Sequence, residues 1–278
     1  MDITPYQHAI GRTEVSIDTI SPVPARGLAG ALDLDPDLMF DGAELPPLWL
    51  WLYFLPSPRA SDTGPDGHAR RGKFLPDIPL PRRMWAGSRI EFFAPAKIGG
   101  ELTKVSTIAK ISGKTGRTGD MAFVTVRHAW SRGGASLMEE EQDIVFLPMP
   151  DHYAPPAPIP APEADWQTPV PVDPVLLFRF SALTYNAHRI HYDAAYASDV
   201  EKYPGLVVHG PLQAIWLMDE ARKRNPDREV RRFSFRGVHP LFSHDRVTVC
   251  GRTNEGGLDL CTVNSAGAQC MQASLSWA

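Results

Sequence analysis

Cysteine is scarce in this 278-residue chain, and the three present, Cys250, Cys261 and Cys270, sit close to its end. An odd set with neither a C-x-x-C pair nor metal-ligand spacing argues against a disulfide framework and against a zinc site. It fits reduced thiols buried in apolar surroundings. Positive charge is in short supply as well: 28 Lys and Arg face 32 Asp and Glu, for a formal net charge of −4. Phosphate backbones bind to basic faces, so no nucleic-acid partner is expected. Long apolar runs are missing too. The longest, "LPPLWLWLYFLP", is too short to span a bilayer and is bracketed by prolines. The opening residues "MDITPYQHAIGRTEVSID" lack the basic start and apolar core of a secretory signal, so a cytoplasmic protein with no membrane partner is expected. No G-x-S-x-G precedes a helical pattern, which removes the serine-nucleophile elbow.

What the chain does have is enough apolar material, 43% of residues, to bury a sizeable core. Ten of its 27 prolines fall between Pro148 and Pro174. Such a segment resists helix and central strand and runs extended, so it is read as a linker, 148–174, between units 1–147 and 175–278. After it, "LLFRFSALT" reads as a strand and "YPGLVVHG" as a turn with a short extended piece. "PLQAIWLMDEARKR" reads as a helix, with Pro first and basic residues last. The first two turns of that helix are apolar on nearly every side, which describes a buried helix. Four alternating strands follow, from "REVRRFSFRGVHPL" to "AQCMQASLSWA", with hairpin turns at "NEGG" and "SAGA". The first unit also ends in four strands with Gly-containing turns, and "LPPLWLWLYFLP" lies where a buried helix would fall. The expected class is therefore α+β: two antiparallel sheets, each wrapped around a central helix, the first copy degenerate.

One stretch of the second unit stands out. "FSALTYNAHRIHYDAAYA" places Asn186, His188, Arg189, His191 and Asp193 within eight positions. His188 and His191 form an H-x-x-H pair, but no third ligand sits at metal spacing, so no metal is expected. A little further on, "VVHGPLQAIW" brings His209 and Gly210 to the start of the buried helix. There, unpaired N–H groups and the helix dipole favour an oxygen that acquires negative charge. Pro211 has no N–H, so the Gly210 N–H is the natural donor, and the missing β-carbon lets a ligand come close. A histidine beside such a corner is a minimal kit for proton transfer next to a polarised carbonyl.

These same residues, "SALTYNAHRIHYDAAYA" and "YPGLVVHGPL", resemble the hydratase motif of MaoC-like (R)-specific enoyl-CoA hydratases, which have the hot dog fold. That motif reads S-G-D-x-N-P-[IL]-H-x-D followed by a His-Gly. The first unit, with "GPDGHARRGKFLPDIPLPRRMWAG", resembles the degenerate N-terminal copy of double-hot-dog dehydratases. The resemblance covers nearly the whole chain and extends to the subgroup that hydrates mesaconyl-C4-CoA and itaconyl-CoA. It implies reversible addition of water to a 2-enoyl-CoA, with a branched C5 dicarboxylic acyl group as the expected substrate class. By the same resemblance His191 is the catalytic base and Gly210 binds the thioester oxygen. Asn186 stands where single-domain relatives have a catalytic aspartate. A carboxamide transfers no proton but orients a water. Either His191 then handles both proton transfers, or a nearby carboxylate replaces the lost acid; Asp193 is the candidate, sharing a face with His191 if the segment is extended.

A dicarboxylic acyl group needs a cation near the pocket, and Arg82, Arg83 and Arg189 are candidates, with His188 and His209 as further substrate or coenzyme A contacts. Arg70, Arg71 and Lys73 in "HARRGKF" could serve the coenzyme A phosphates; His68, in the same loop, is given no role. Coenzyme A is part of the substrate, so no separate cofactor is expected. The fused units would make a monomer self-sufficient, so a monomer or a homodimer is expected. The competing readings are a 3-hydroxyacyl-thioester dehydratase of fatty-acid synthesis and a non-catalytic acyl-CoA-binding protein.

Overall fold

The computed structural model describes residues 1–116 and 119–278. Among these residues ten strands form one continuous antiparallel sheet where two were expected: β1 (Thr13–Thr19), β2 (Arg82–Phe92), β3 (Glu101–Gly116), β4 (Gly119–Arg132), β5 (Ala135–Leu147), β6 (Trp166–Val170), β7 (Val230–Gly237), β8 (Val247–Asn254), β9 (Gly257–Val263) and β10 (Gln269–Trp277). Their spatial order is β1-β3-β4-β5-β2-β7-β10-β9-β8-β6. The eight strands expected from alternation are all present, four on each side of the β2–β7 seam. Along that seam Gly87 to Glu91 pair with Arg236 to Arg232. A β-bulge between Trp85 and Gly87 bends β2 there, and a β-carbon on Gly87 would lie 2.3 Å from the Phe235 carbonyl oxygen.

Helix α4 (Gly210–Arg224) is the buried helix expected of the second unit. Leu212, Ala214, Ile215, Trp216, Leu217 and Met218 are all buried, and the helix lies against β8, β9, β10 and β2. Among the described residues before 148 no helix is of that length. The apolar piece there forms only a single 3-10 turn, Trp49–Leu52, because flanking prolines leave no room for more, yet Trp49, Leu50 and Leu52 enter the core. The short helix α1 (Pro22–Ala31) and edge strand β1 carry no strong pattern and are not legible in the sequence.

"LLFRFSALT" is a correction: it belongs to helix α2 (Pro174–Leu183), not to a strand. Asp173 caps it, accepting the Leu176 N–H at 2.7 Å, and Pro174 opens it. Leu176, Leu177, Phe180 and Ser181 are buried while Val175 and Phe178 are exposed, a helical spacing that a short apolar run hides. The Pro-rich segment is extended and contributes β6, which tolerates Pro169 because it is an edge strand. Among the described residues no helix is long and apolar enough to cross a membrane.

Candidate active site

A cleft of about 1530 Å³ is lined by residues from β2, the loop around His68, the Pro-rich segment and the start of α4. One wall is α4's first turn with the segment 186–192; another is β2, through Arg82, Arg83, Met84 and Trp85. The linker, through Tyr153 and Pro155, closes a third. Trp85 is anchored from behind: its indole N–H donates to Ser88 Oγ at 2.8 Å, and the Ser88 hydroxyl donates to buried Glu140. The Trp51 indole donates to the other Glu140 oxygen, and burial pushes this carboxyl up to about 7.

His191 sits in a one-turn 3-10 segment, Arg189–His191. Its Nδ1 lies 2.7 Å from the Val207 carbonyl oxygen. A carbonyl only accepts, so Nδ1 carries the proton and Nε2 is left with a free lone pair. The Val207 N–H returns a hydrogen bond to the Ile190 carbonyl at 3.0 Å, which fixes the two segments to each other. The His191 ring stacks on His209, centroids 3.7 Å apart at 19°. Because His209 immediately precedes Gly210, this stack holds the imidazole at the N-terminus of α4. Burial pushes the His191 pKa down to about 3, with the neighbouring His188 adding to it and the Val207 carbonyl opposing it. The imidazole is therefore neutral at pH 7, with Nε2 able to accept a proton.

Gly210 lines the same cleft, and as the first residue of α4 it has no intrahelical acceptor for its N–H. Asn186, half-buried in the cleft wall, accepts the His188 N–H through Oδ1 at 3.1 Å. That bond orients the carboxamide and leaves its NH₂ as a donor for a water or ligand. His188 is buried and hydrogen-bonded through Nε2 to Glu201 at 2.9 Å. Glu201 in turn pairs with Arg82 at 3.0 Å, and Arg82 donates to the Tyr203 hydroxyl. Burial alone would raise Glu201, but the hydrogen bond from His188 and the charge of Arg82 hold it below the usual carboxylate range.

Three of the expected site residues lie elsewhere. Asp193 does not share a face with His191, because the chain turns there instead of running extended. Its carboxylate caps helix α3 (Ala194–Asp199), accepting the Tyr196 N–H at 3.0 Å, and pairs with Arg189 at 2.7 Å. Arg189 is spent on that pair, on the Pro65 carbonyl and on the Tyr196 ring, and neither residue lines the cleft. His209 is 0% exposed and supports His191 from behind, its Nε2 2.8 Å from Ser181 Oγ. Of the loop cations, Arg71 donates to the Ile78 and Leu80 carbonyls and Lys73 pairs with Asp62, while Arg70 is exposed at the cleft rim.

His68, to which its sequence context assigns no role, also lines the cleft. Its ring lies 4.3 Å from that of His188, and its Nδ1 is 3.0 Å from Asp66. Burial pushes His68 down to about 4, against the pull of Asp66; burial would raise Asp66, but the His68 hydrogen bond draws it down to about 2. Gly67, at φ +92°, presses so closely on the site that a β-carbon would lie 1.8 Å from the Ala187 carbonyl oxygen. Only the Gly-rich "GPDGH" hinted at so close an approach. Among the described residues no group of three His, Cys, Asp or Glu side chains is arranged to hold a metal ion.

The hydroxyacyl-thioester dehydratase type 2 family matches residues 48–243. The mesaconyl-C(4)-CoA hydratase of Chloroflexus aurantiacus is 45% identical over 277 residues, covering 96% of this chain and 95% of that protein. A MaoC-like dehydratase from Phytophthora capsici has a similar structure, with a TM-score of 0.69 at 14% identity over 96% of this chain and 95% of its own. So does a Mycobacterium tuberculosis protein described as a double hot dog, with a TM-score of 0.60 at 14% identity over 96% of each chain. At that identity these structures speak to fold alone, and the fold is the double hot dog expected from the sequence.

Proposed function

This chain belongs to the hydroxyacyl-thioester dehydratase type 2 family and is a hydro-lyase of the enoyl-CoA hydratase type, and from that premise we propose that its substrate is a branched C5 dicarboxylic 2-enoyl-CoA such as mesaconyl-C4-CoA. The observation that carries the chemistry is a neutral His191, pinned by the Val207 carbonyl and stacked on His209 at the start of α4. The Asn186 NH₂ donates to a water, and the Nε2 lone pair of His191 takes that water's proton as its oxygen attacks C3. Electron density moves through C2 onto the thioester oxygen, which accepts the Gly210 N–H. Protonated His191 then returns its proton to C2, completing the addition. One oxyanion donor of this kind contributes roughly 3 kcal/mol, so Gly210 counts about as much as the base.

The one-histidine version of the mechanism follows from what surrounds it. Asp193 is committed to a helix cap, and Asp66 and Glu201 are held ionised by His68, His188 and Arg82. None of these carboxylates is available as an acid, so both proton transfers fall to His191. In this reading unit 175–278 supplies the catalytic groups, unit 1–147 builds the opposite wall of the cleft, and the enzyme works in the cytoplasm.

The test is loss of enoyl-thioester absorbance with purified protein and mesaconyl-C4-CoA, itaconyl-CoA and crotonyl-CoA in parallel. Faster loss with a dicarboxylic substrate than with crotonyl-CoA is expected. No loss with any of the three contradicts the proposal.

A further inference from the structure

Four arginines line the cleft, Arg70 exposed at its rim and Arg71, Arg82 and Arg83 further in; Arg71 and Arg82 are spent, as is Arg189 just outside it. Arg82 is tied to Glu201 and Tyr203, Arg189 to Asp193, and Arg71 to two backbone carbonyls with Asp77 3.8 Å away. Arg83 is different. It lines the cleft half-buried, and among the described residues it makes one long hydrogen bond, 3.4 Å, to the Ala69 carbonyl, and has no carboxylate within ion-pair distance. Asp66, the favourable charge nearby, already accepts from His68. A guanidinium withdrawn from water without a counter-ion is costly, and burial lowers the Arg83 pKa accordingly.

The place of Arg83 in the cleft says which anion suits it. Arg83 lies beside His68, whose ring is 4.3 Å from His188, and His188 is 5.6 Å from His191. The loop that receives the Arg83 hydrogen bond is stitched to the catalytic segment by the Gly67–Ala187 contact and by the Arg189 N–H on the Asp66 carbonyl at 3.0 Å. A cation held to this loop, inside the cleft that also holds His191, suits the far end of a short acyl chain, whereas the coenzyme A phosphates are left to exposed Arg70 at the rim. We infer that Arg83 is the subsite for the free carboxylate of the acyl group and sets the preference for dicarboxylic over monocarboxylic acyl-CoA. The guanidinium fork matches a carboxylate with two parallel hydrogen bonds, which a lysine cannot do.

The inference rests on the hydratase reading for its substrate but is tested by binding as well as turnover. The saturated probes succinyl-CoA and butyryl-CoA, of equal chain length, are titrated calorimetrically into wild type, Arg83→Met and Arg83→Lys, each checked by thermal unfolding. Wild type should prefer succinyl-CoA, and Arg83→Met should cut that preference roughly tenfold or more, with Arg83→Lys in between. In turnover, the kcat/KM ratio of mesaconyl-C4-CoA to crotonyl-CoA should fall in the same order. An unchanged preference in Arg83→Met, or no preference in wild type, overturns the subsite. Should Arg83→Met fail to fold, Arg83→Lys alone decides: an unchanged succinyl-CoA preference would mean the fork plays no part. If wild type turns over neither enoyl-CoA but binds succinyl-CoA through Arg83, the hydratase reading fails and the subsite stands.

Discussion

At the scale of single residues, the site separates groups that look alike in the sequence. His188, His191 and His209 share one short region, yet each has its own hydrogen-bond partner: Glu201, the Val207 carbonyl and Ser181. Of these three, His191 faces the cleft with Nδ1 held by a carbonyl, which leaves Nε2 free to accept a proton in the proposed reaction. Asp193 shows the reverse. It stands where a replacement acid was expected, but its oxygens cap α3 and pair with Arg189. Asp193→Ala should therefore lower stability, seen as an earlier midpoint in denaturant unfolding, while kcat stays within about twofold of wild type. A large fall in kcat without a stability change would restore Asp193 as the acid.

Elements set how closely these residues meet. The loop carrying His68 and Gly67 reaches the site across more than a hundred residues of chain, held by the close approach of Gly67 to Ala187. Gly67→Ala combines a positive φ with a clash against backbone, so it should cost roughly 1–3 kcal/mol in thermal unfolding and lower activity together with it. Wild-type stability and turnover in that variant would show the loop is free to move aside. The same contact explains what the sequence could and could not tell. Strands β2–β5 and β7–β10 and helix α4 were legible because each satisfies one clear periodicity. Asn186, His191 and Gly210 were legible because their spacing carries a motif. Helix α2 was misread because its apolar run is too short to distinguish periods, although Asp173 and Pro174 mark its start. His68 and Glu201 were missed because their roles depend on neighbours far away in sequence.

For the molecule as a whole, histidine burial couples the site to stability. Burial pushes His68, His128 and His191 down to about 4, 4 and 3, and His209 well below its ordinary 6.5. The unfolded chain regains ordinary histidines, so below about pH 6.5 it binds more protons than the native state. These four histidines contribute stability that is full above pH 6.5 and lost as pH falls toward 4, by about 1.4 kcal/mol per pH unit for each such proton; buried Glu140 and Asp219, raised to about 7, oppose them but are outnumbered. Ionised Asp66 and Glu201 act in the same direction at lower pH. The Tm should hold steady between pH 8 and 7 and fall steeply between pH 6 and 5, with activity following the folded fraction. A Tm unchanged from pH 7 to 5 would mean these histidines are protonated in the native state, contrary to a neutral base.

The central claim is that one neutral histidine at the head of a buried helix adds water to an enoyl thioester. The most direct measurement is enoyl-thioester absorbance with mesaconyl-C4-CoA for wild type and for His191→Ala, both confirmed folded. Wild type should hydrate the thioester and His191→Ala should lose roughly a thousandfold or more of kcat. Equal rates in the two proteins would contradict the assignment of His191 as the base.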